Sequence, residues 1–352
     1  MNTVSSNVFH RRLDVEPLYA IRAEGNYIYT KDGRKILDGG VGSGVTTIGY
    51  GHKRVTEGIV DQLQTVNYVQ CTTFTSKAAE ELADELVKES GMKRALFVNS
   101  GSEAVESAIK LVRQYHLENK QPQRVNFIAR RQNYHGNSLG ALGLSSHKLR
   151  RDPFLPLFSP HFHHVSPCFA YHYKLVDESD ETYVKRLVDE LEAKFQELSP
   201  ETVAAFFAET VVGATSGCTL AMPGYFKAMR EVCDRHGALF VLDEIMCGIG
   251  RTGKLHAWQW ENLSSPPDIQ VNGKGLAGGY APIGAVLVSA KVIDMLSAGS
   301  VALYPCSKGT FDGISGDHII IAPPYTITEQ ELVFLVDSLK ASIDIVLQAD
   351  PV

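Results

Sequence analysis

The sequence predicts an α/β fold: a three-layer sandwich in which a mainly parallel sheet is covered by helices. Two observations carry the prediction. From about residue 75, segments with apolar residues at helical spacing alternate with short apolar runs of strand length. Several of those runs then end on a polar or small residue, as at Ser100 and Asp243, the place where sheets of this type bind ligands.

The elements follow in chain order. Residues 1–45 read as an N-terminal segment of short strands, contributing to a small domain. Within it, the alternating run from Gly25 to Gly33 reads as a hairpin closed by Asp32-Gly33. The glycines of 39–44 and of Gly49-Tyr-Gly-His52 read as a flexible loop, or as backbone that lies close to a ligand or another chain. Residues 46–290 read as the large domain. Its first helix carries Ala78, Ala79, Leu82, Ala83, Leu86 and Val87 on one face. Strand 95–98 follows, then a helix over 103–116 with Ala104, Ala108, Leu111, Val112 and Tyr115 facing inward. Further strands are expected at 125–129, 203–208, 238–242, 269–271 and 285–289, with a helix over 225–236. Residues 291–352 read as a reduced C-terminal small domain of α+β type. In it, 319–322 reads as a strand, and Thr328-x-x-Glu331 reads as a capping box opening a last helix.

Composition narrows the function classes. A net charge of −6 gives no reason to expect nucleic acid or an anionic membrane as partner. No apolar run approaches the roughly 20 residues that span a bilayer, and the N-terminus lacks the apolar centre of a secretory signal. The six cysteines are scattered, with no CxxC pair, and read as reduced thiols in a cytoplasmic protein. His161, His163, His164, Cys168 and His172 gather potential metal ligands, but their spacing matches no zinc module, so no metal is expected.

Lys274 carries most of the chemistry. It follows a strand-like run and lies among glycines, where a solvated surface lysine gains nothing. Asp243 ends another apolar run. A lysine able to form a Schiff base and an acid able to hold a pyridine nitrogen protonated suit a pyridine-aldehyde cofactor. Asn99-Ser-Gly-Ser-Glu-Ala104 joins a strand to a helix whose free N–H groups would cup a phosphate. Tyr134 is able to stack on an aromatic ring, and Ile245, two residues beyond Asp243, to close the other side. Each signal has an ordinary structural reading: a helix cap, a core tyrosine, a turn-forming acid, an exposed lysine.

Together, these segments resemble the class III pyridoxal-phosphate aminotransferases. The likeness rests on Phe97-Val-Asn-Ser-Gly-Ser-Glu-Ala104, Tyr134-His-Gly136, Leu242-Asp-Glu-Ile245 with Gly250-Arg-Thr-Gly253, and Pro267-Asp268 through Lys274 to Gly284. It runs in order from about residue 20 to residue 290. The resemblance implies fold type I, a pyridoxal 5'-phosphate cofactor and a homodimer. It implies that Lys274 forms the internal aldimine and acts as the proton carrier, and that Asp243 pairs with the pyridinium nitrogen. Gly101 and Ser102 would bind the phosphate, Tyr134 and Ile245 would sandwich the ring, and Glu209 would stand near the cofactor. Thr210 occupies the place where the family has proline after that glutamate. The implied activity is a ping-pong transfer of an amino group from an amino acid or amine to a keto acid or aldehyde.

After Ser300 the chain departs from the family pattern. An internal block is expected to be missing there, together with the threonine that would reach the neighbouring subunit's phosphate; Thr310 is not that residue, because its neighbours resemble a later segment. Arg251 is the last arginine, so a carboxylate clamp would have to come from elsewhere, with Arg22, Arg130 and Arg131 as candidates. A second reading follows from this departure: a cofactor-binding but weakly active or inactive truncated homologue.

Overall fold

The computed structural model describes residues 6–298, 323 and 326–348. The chain divides into two compact units, residues 1–300 and 301–352. The expectations for the missing block, Thr310 and strand 319–322 fall outside the described residues.

The first unit begins with a three-stranded antiparallel meander: β1 (Ala20–Glu24), β2 (Tyr27–Thr30) and β3 (Lys35–Leu37). The expected hairpin differs in detail, because the alternating run is a single strand with a turn at each end. Asp32-Gly33 lies in the turn joining β2 to β3, with Gly33 at φ 86°. Two helices follow, α1 (Lys53–Thr65) and α2 (Lys77–Ser90). Ser76 caps α2 by accepting from Ala79 N–H, and Gly91 ends it in the left-handed region. None of the α1 residues is buried.

The central sheet has seven strands: β4 (Arg94–Val98), β5 (Asn126–Arg130), β6 (Phe162–Val165), β7 (Val203–Glu209), β8 (Leu239–Asp243), β9 (Ile269–Asn272) and β10 (Gly284–Val288). Their spatial order is β4-β10-β9-β8-β7-β5-β6. Only β10 runs against the rest, pairing antiparallel with β9 and with β4. The remaining pairs are parallel.

The middle strands are buried on both faces, and alternation sorts their side chains into two cores. Ala205, Phe207, Leu239 and Val241 pack with Ala104, Ala108, Leu111 and Val112 of α3 (Gly101–Glu118). Phe206, Ala208, Phe240 and Leu242 pack with Leu187, Leu191 and Phe195 of α4 (Asp180–Leu198) and with Phe226 and Met229 of α5 (Tyr225–His236). A further helix, α6 (Ala290–Ala298), adds Val292 and Leu296 to the α3 side. This is the three-layer arrangement, and it places the N-terminus of α3 beside the carboxyl ends of the parallel strands.

In the second unit, α7 (Glu329–Gln348) opens with the expected capping box. Thr328 N–H donates to Glu331 Oε2 at 2.8 Å, and Glu331 N–H donates to Thr328 Oγ1 at 3.3 Å. Along its expected apolar face, Leu335, Val336 and Leu339 are half-buried, whereas Leu332 and Ile343 are exposed.

Candidate active site

The carboxyl ends of β4, β5, β7, β8 and β9 open onto one cavity of about 200 Å³. It brings together all seven residues singled out in the sequence: Gly101, Ser102, Tyr134, Glu209, Asp243, Ile245 and Lys274. His135 joins them.

Asp243 ends β8 and is 3% exposed, so an ionised carboxylate here needs partners. Its Oδ2 lies 2.8 Å from His135 Nδ1, and its Oδ1 accepts from Ile245 N–H at 2.9 Å. A carboxylate only accepts, so this contact puts the histidine's proton on Nδ1. His135 was not singled out in the sequence, because its partner lies far away in the chain and its only signal was its place between Tyr134 and Gly136.

Glu209 ends β7 and is buried. It accepts from Tyr134 N–H at 2.8 Å and from Gly213 N–H at 3.0 Å. It therefore fixes the backbone that presents Tyr134. Burial, and then the charge of Asp243, push its carboxyl above the usual range. Of the arginine candidates, Arg130 is buried and donates to the Glu209 carbonyl, Arg131 pairs with Glu190 and Ser166, and Arg22 pairs with Glu24.

The first turn of α3 forms the cavity's other wall. Ser100 accepts from Glu103 N–H, leaving the N–H groups of Gly101 and Ser102 without an acceptor in their own helix. Ser102 Oγ accepts from Asn137 N–H at 2.9 Å, which keeps the hydroxyl proton for another acceptor. A Cβ at residue 101 would meet Ile245 Cδ1 and Cγ2 at 2.9 Å, so glycine is what lets Ile245 lie against the helix end.

Lys274 follows β9 and is half-buried. Its backbone sits at φ 42°, in the left-handed region that a lysine rarely adopts. Burial lowers its ammonium pKa, opposed by the charges of Asp243 and Glu209. The glycine-rich stretch near residue 50 is not a loose loop. Gly49 at φ 73° lies against the Gly25 carbonyl, and Tyr280, from the loop after Lys274, donates to Gly49 O at 3.0 Å and accepts from His52 N–H at 2.7 Å. Arg251 donates to Gly44 O at 3.0 Å, tying the same stretch to the site.

Glu244, next to Asp243, does not line the cavity. It accepts from Ala257 N–H, Trp258 N–H, Thr210 Oγ1 and Gln270 Nε2 at 2.7–3.1 Å and holds the 256–260 turn against the sheet. Thr210, which replaces the family proline, thus has a partner of its own. His161 Nδ1 and His163 Nε2 both contact Asn126 Oδ1. Among the described residues no group of three or more His, Cys, Asp or Glu side chains is placed to hold a metal. None of the described helices is long and apolar enough to cross a membrane.

The donor set fits pyridoxal phosphate: helix-end N–H groups and a serine proton for the phosphate, a buried carboxylate for a ring N–H, an aromatic and a branched aliphatic wall for the ring, and a lysine for the aldehyde. The comparisons agree with this fit. A family model described as aminotransferase class-III matches residues 8–322. An uncharacterized aminotransferase of Schizosaccharomyces pombe is 45% identical over 298 residues, 84% of this chain and 64% of that one. A vanillin aminotransferase of Capsicum annuum is 36% identical over 305 residues, 85% of this chain and 66% of that one. Among solved structures, an omega transaminase from Pseudomonas jessenii in complex with PMP aligns with a TM-score of 0.77 at 31% identity, over 80% of this chain and 62% of that one. The chain therefore spans between 62% and 66% of the length of these relatives.

Proposed function

This chain belongs to the class III aminotransferases, and we propose from that premise that it is a pyridoxal-phosphate-dependent aminotransferase. It moves an amino group from an amino acid or amine to a keto acid or aldehyde in two alternating half-reactions. The observation that carries the reading is the convergence of Lys274, the Asp243–His135 pair and the N-terminus of α3 on one cavity. Bound there, the cofactor supplies an aldehyde for the amine and a ring that accepts electrons from the substrate carbon.

The residues divide the work. Gly101 and Ser102 would hold the phosphate with two N–H groups and a hydroxyl. Tyr134 and Ile245 would wall the ring. Asp243, oriented by His135, would keep a proton on the ring nitrogen, which would make the ring a better electron acceptor. Glu209 positions Tyr134 through its N–H. Lys274 Nζ would hold the cofactor through its aldehyde and, as a free amine, would be the base that takes the proton from the substrate carbon. Its lowered pKa raises the fraction of free amine available as base.

The setting belongs to the same proposal. Residues 46–290 form the cofactor-binding domain. A homodimer is supported by α1, which buries none of its residues and leaves Val60 and Leu63 exposed. A cytoplasmic location is supported by Cys71, Cys168, Cys218, Cys233 and Cys247, all free thiols. Acceptors of aldehyde type are supported by the relative named for vanillin.

Reconstitution tests the reading. The purified chain with pyridoxal phosphate is expected to show a visible absorbance band that Lys274→Ala removes and that L-alanine or another amino donor converts to the amine form's spectrum. No band after reconstitution would overturn the assignment. A band that no donor converts would favour the inactive homologue.

A further inference from the structure

A second cavity, of about 450 Å³, lies outside the site described above. It opens between the short hairpin of Val211–Val212 with Thr219–Leu220 and the 256–260 turn that Glu244 holds. The hairpin lines both cavities, with Ala214 on the first and Val211 and Leu220 on the second. Pro223, Ala257 and Trp260 extend the apolar wall. The indole is held in place: Trp260 Nε1 donates to the Thr252 carbonyl at 3.1 Å, and Lys254 Nζ lies 4.1 Å from the ring centre. Glu261 lines the same cavity and is half-buried. Its side chain forms no hydrogen bond or ion pair with any described residue. The buried carboxylates of the fold differ. Asp243, Glu209 and Glu244 have the partners given above, and Asp268 accepts from Phe240 N–H and pairs with Lys291. Burial pushes the Glu261 carboxyl up to about 7, opposed by the charge of Arg130. A carboxylate taken partly out of water without a counter-ion is costly to keep unless something pairs with it.

We propose that this cavity is a second binding site, separate from the cofactor site, for an organic ammonium ion with an apolar body. The ammonium pairs with Glu261, and the body lies against Val211, Leu220 and Trp260. An aromatic wall beside a carboxylate suits such a cation, since the ring attracts it and the carboxylate neutralises it. The volume falls within the range of about 300–1,000 Å³ usual for small-ligand pockets. An anion would meet Glu261 as a like charge. A metal ion would find one carboxylate, without the group of three acidic, histidine or cysteine ligands that would hold it among the described residues. The inference stands independently of the aminotransferase reading.

The test uses the full chain loaded with pyridoxal phosphate, and benzyltrimethylammonium as the probe. The probe carries a fixed charge beside a phenyl group. It has no N–H, so it cannot condense with the cofactor aldehyde. Calorimetry is expected to show saturable binding. Glu261→Gln keeps the shape and removes the charge, and should weaken that binding at least about tenfold. Leu220→Lys sets a like charge in the wall and should weaken it at least about threefold. Tryptophan emission gives a second readout, because both tryptophans of the chain, Trp258 and Trp260, lie in this segment. The emission should shift as the probe saturates the unaltered chain and should not shift at the same concentration in Glu261→Gln. The visible cofactor band should be the same in both variants. If Glu261→Gln fails to fold, Leu220→Lys carries the test, because Leu220 is 68% exposed and its replacement leaves the core intact. An absence of saturable binding, or an affinity unchanged in either variant, overturns the proposal while leaving the aminotransferase reading intact. Failure of the unaltered chain to form the visible band overturns that reading and leaves this one standing.

Discussion

Residues 94–289 and residues 6–75 use their apolar side chains in opposite ways. In the first region, Phe206, Phe207, Phe240 and Leu242 are fully buried between two helical layers. In the second, Phe9, Tyr19, Ile21, Leu37, Leu63, Tyr68 and Phe74 are all more than half exposed, and α1 buries nothing. The inner region is stabilised by its own chain, and the outer one presents an apolar surface of the kind that a partner covers. The chemistry of the proposed site lies almost wholly in the inner region. The outer region reaches it through Gly44 and Gly49, which Arg251 and Tyr280 bind.

Substitutions that silence the inner site without unfolding it would sharpen this contrast. Lys274→Ala has the largest expected effect, a loss of turnover of about 10⁴-fold or more with the melting transition retained. It also relieves no strain, since alanine dislikes the left-handed backbone at residue 274 as lysine does. Asp243→Asn keeps the shape and removes the charge, and should lower kcat by about 10²- to 10³-fold, measured at saturating cofactor.

Acid challenges the inner region's self-sufficiency. His116, His164 and His256 are held by burial at a pKa of about 4, against an ordinary 6.5. Below 6.5 the unfolded chain takes up protons that the folded chain refuses. Stability therefore falls as pH drops from 6.5 to about 4, by up to about 3 kcal/mol for each histidine. Thermal melts across that window should show a steep decline, and a flat profile would mean that these histidines are not buried as neutral groups. Gly101→Ala is milder: the added methyl meets Ile245 at 2.9 Å and should cost about 1–3 kcal/mol, together with weaker cofactor binding, read by melting and by titration of the visible band. The smallest effect on the isolated chain belongs to the outer region. Leu63→Asp on α1 should change monomer stability by less than about 0.5 kcal/mol while shifting association in size-exclusion chromatography. If it unfolds the chain instead, the two regions are not independent in the way described.

The strands of the inner region were legible because they are continuous apolar runs ending in polar or small residues, and the strand ends located the cavity. The helix over 225–236 was legible from its period and the glycines flanking it. The reversal of β10 was not, since a buried strand reads the same in either direction. The partnership of His135 with Asp243 joins distant segments and left no local signal. The glycines near residue 50 read as a flexible loop or a close backbone approach, and their contact with the Gly25 carbonyl was not legible because spacing reports freedom of φ and not what packs against it.

The reversed strand has a consequence for how the molecule is made. β10 lies between β4 and β9, so the strand that feeds α3 meets the rest of the sheet only through a segment about 190 residues later in the chain. At a synthesis rate of about 5–20 residues per second, β4 waits on the order of 10–40 s for its neighbour. During that interval the part of α3 that packs on β10 stays uncovered, although β5, β7 and β8, made earlier, already offer Ala104, Ala108, Leu111 and Val112 a surface. The nascent chain is therefore most open to aggregation, and most in need of a chaperone, before residue 288 has left the ribosome.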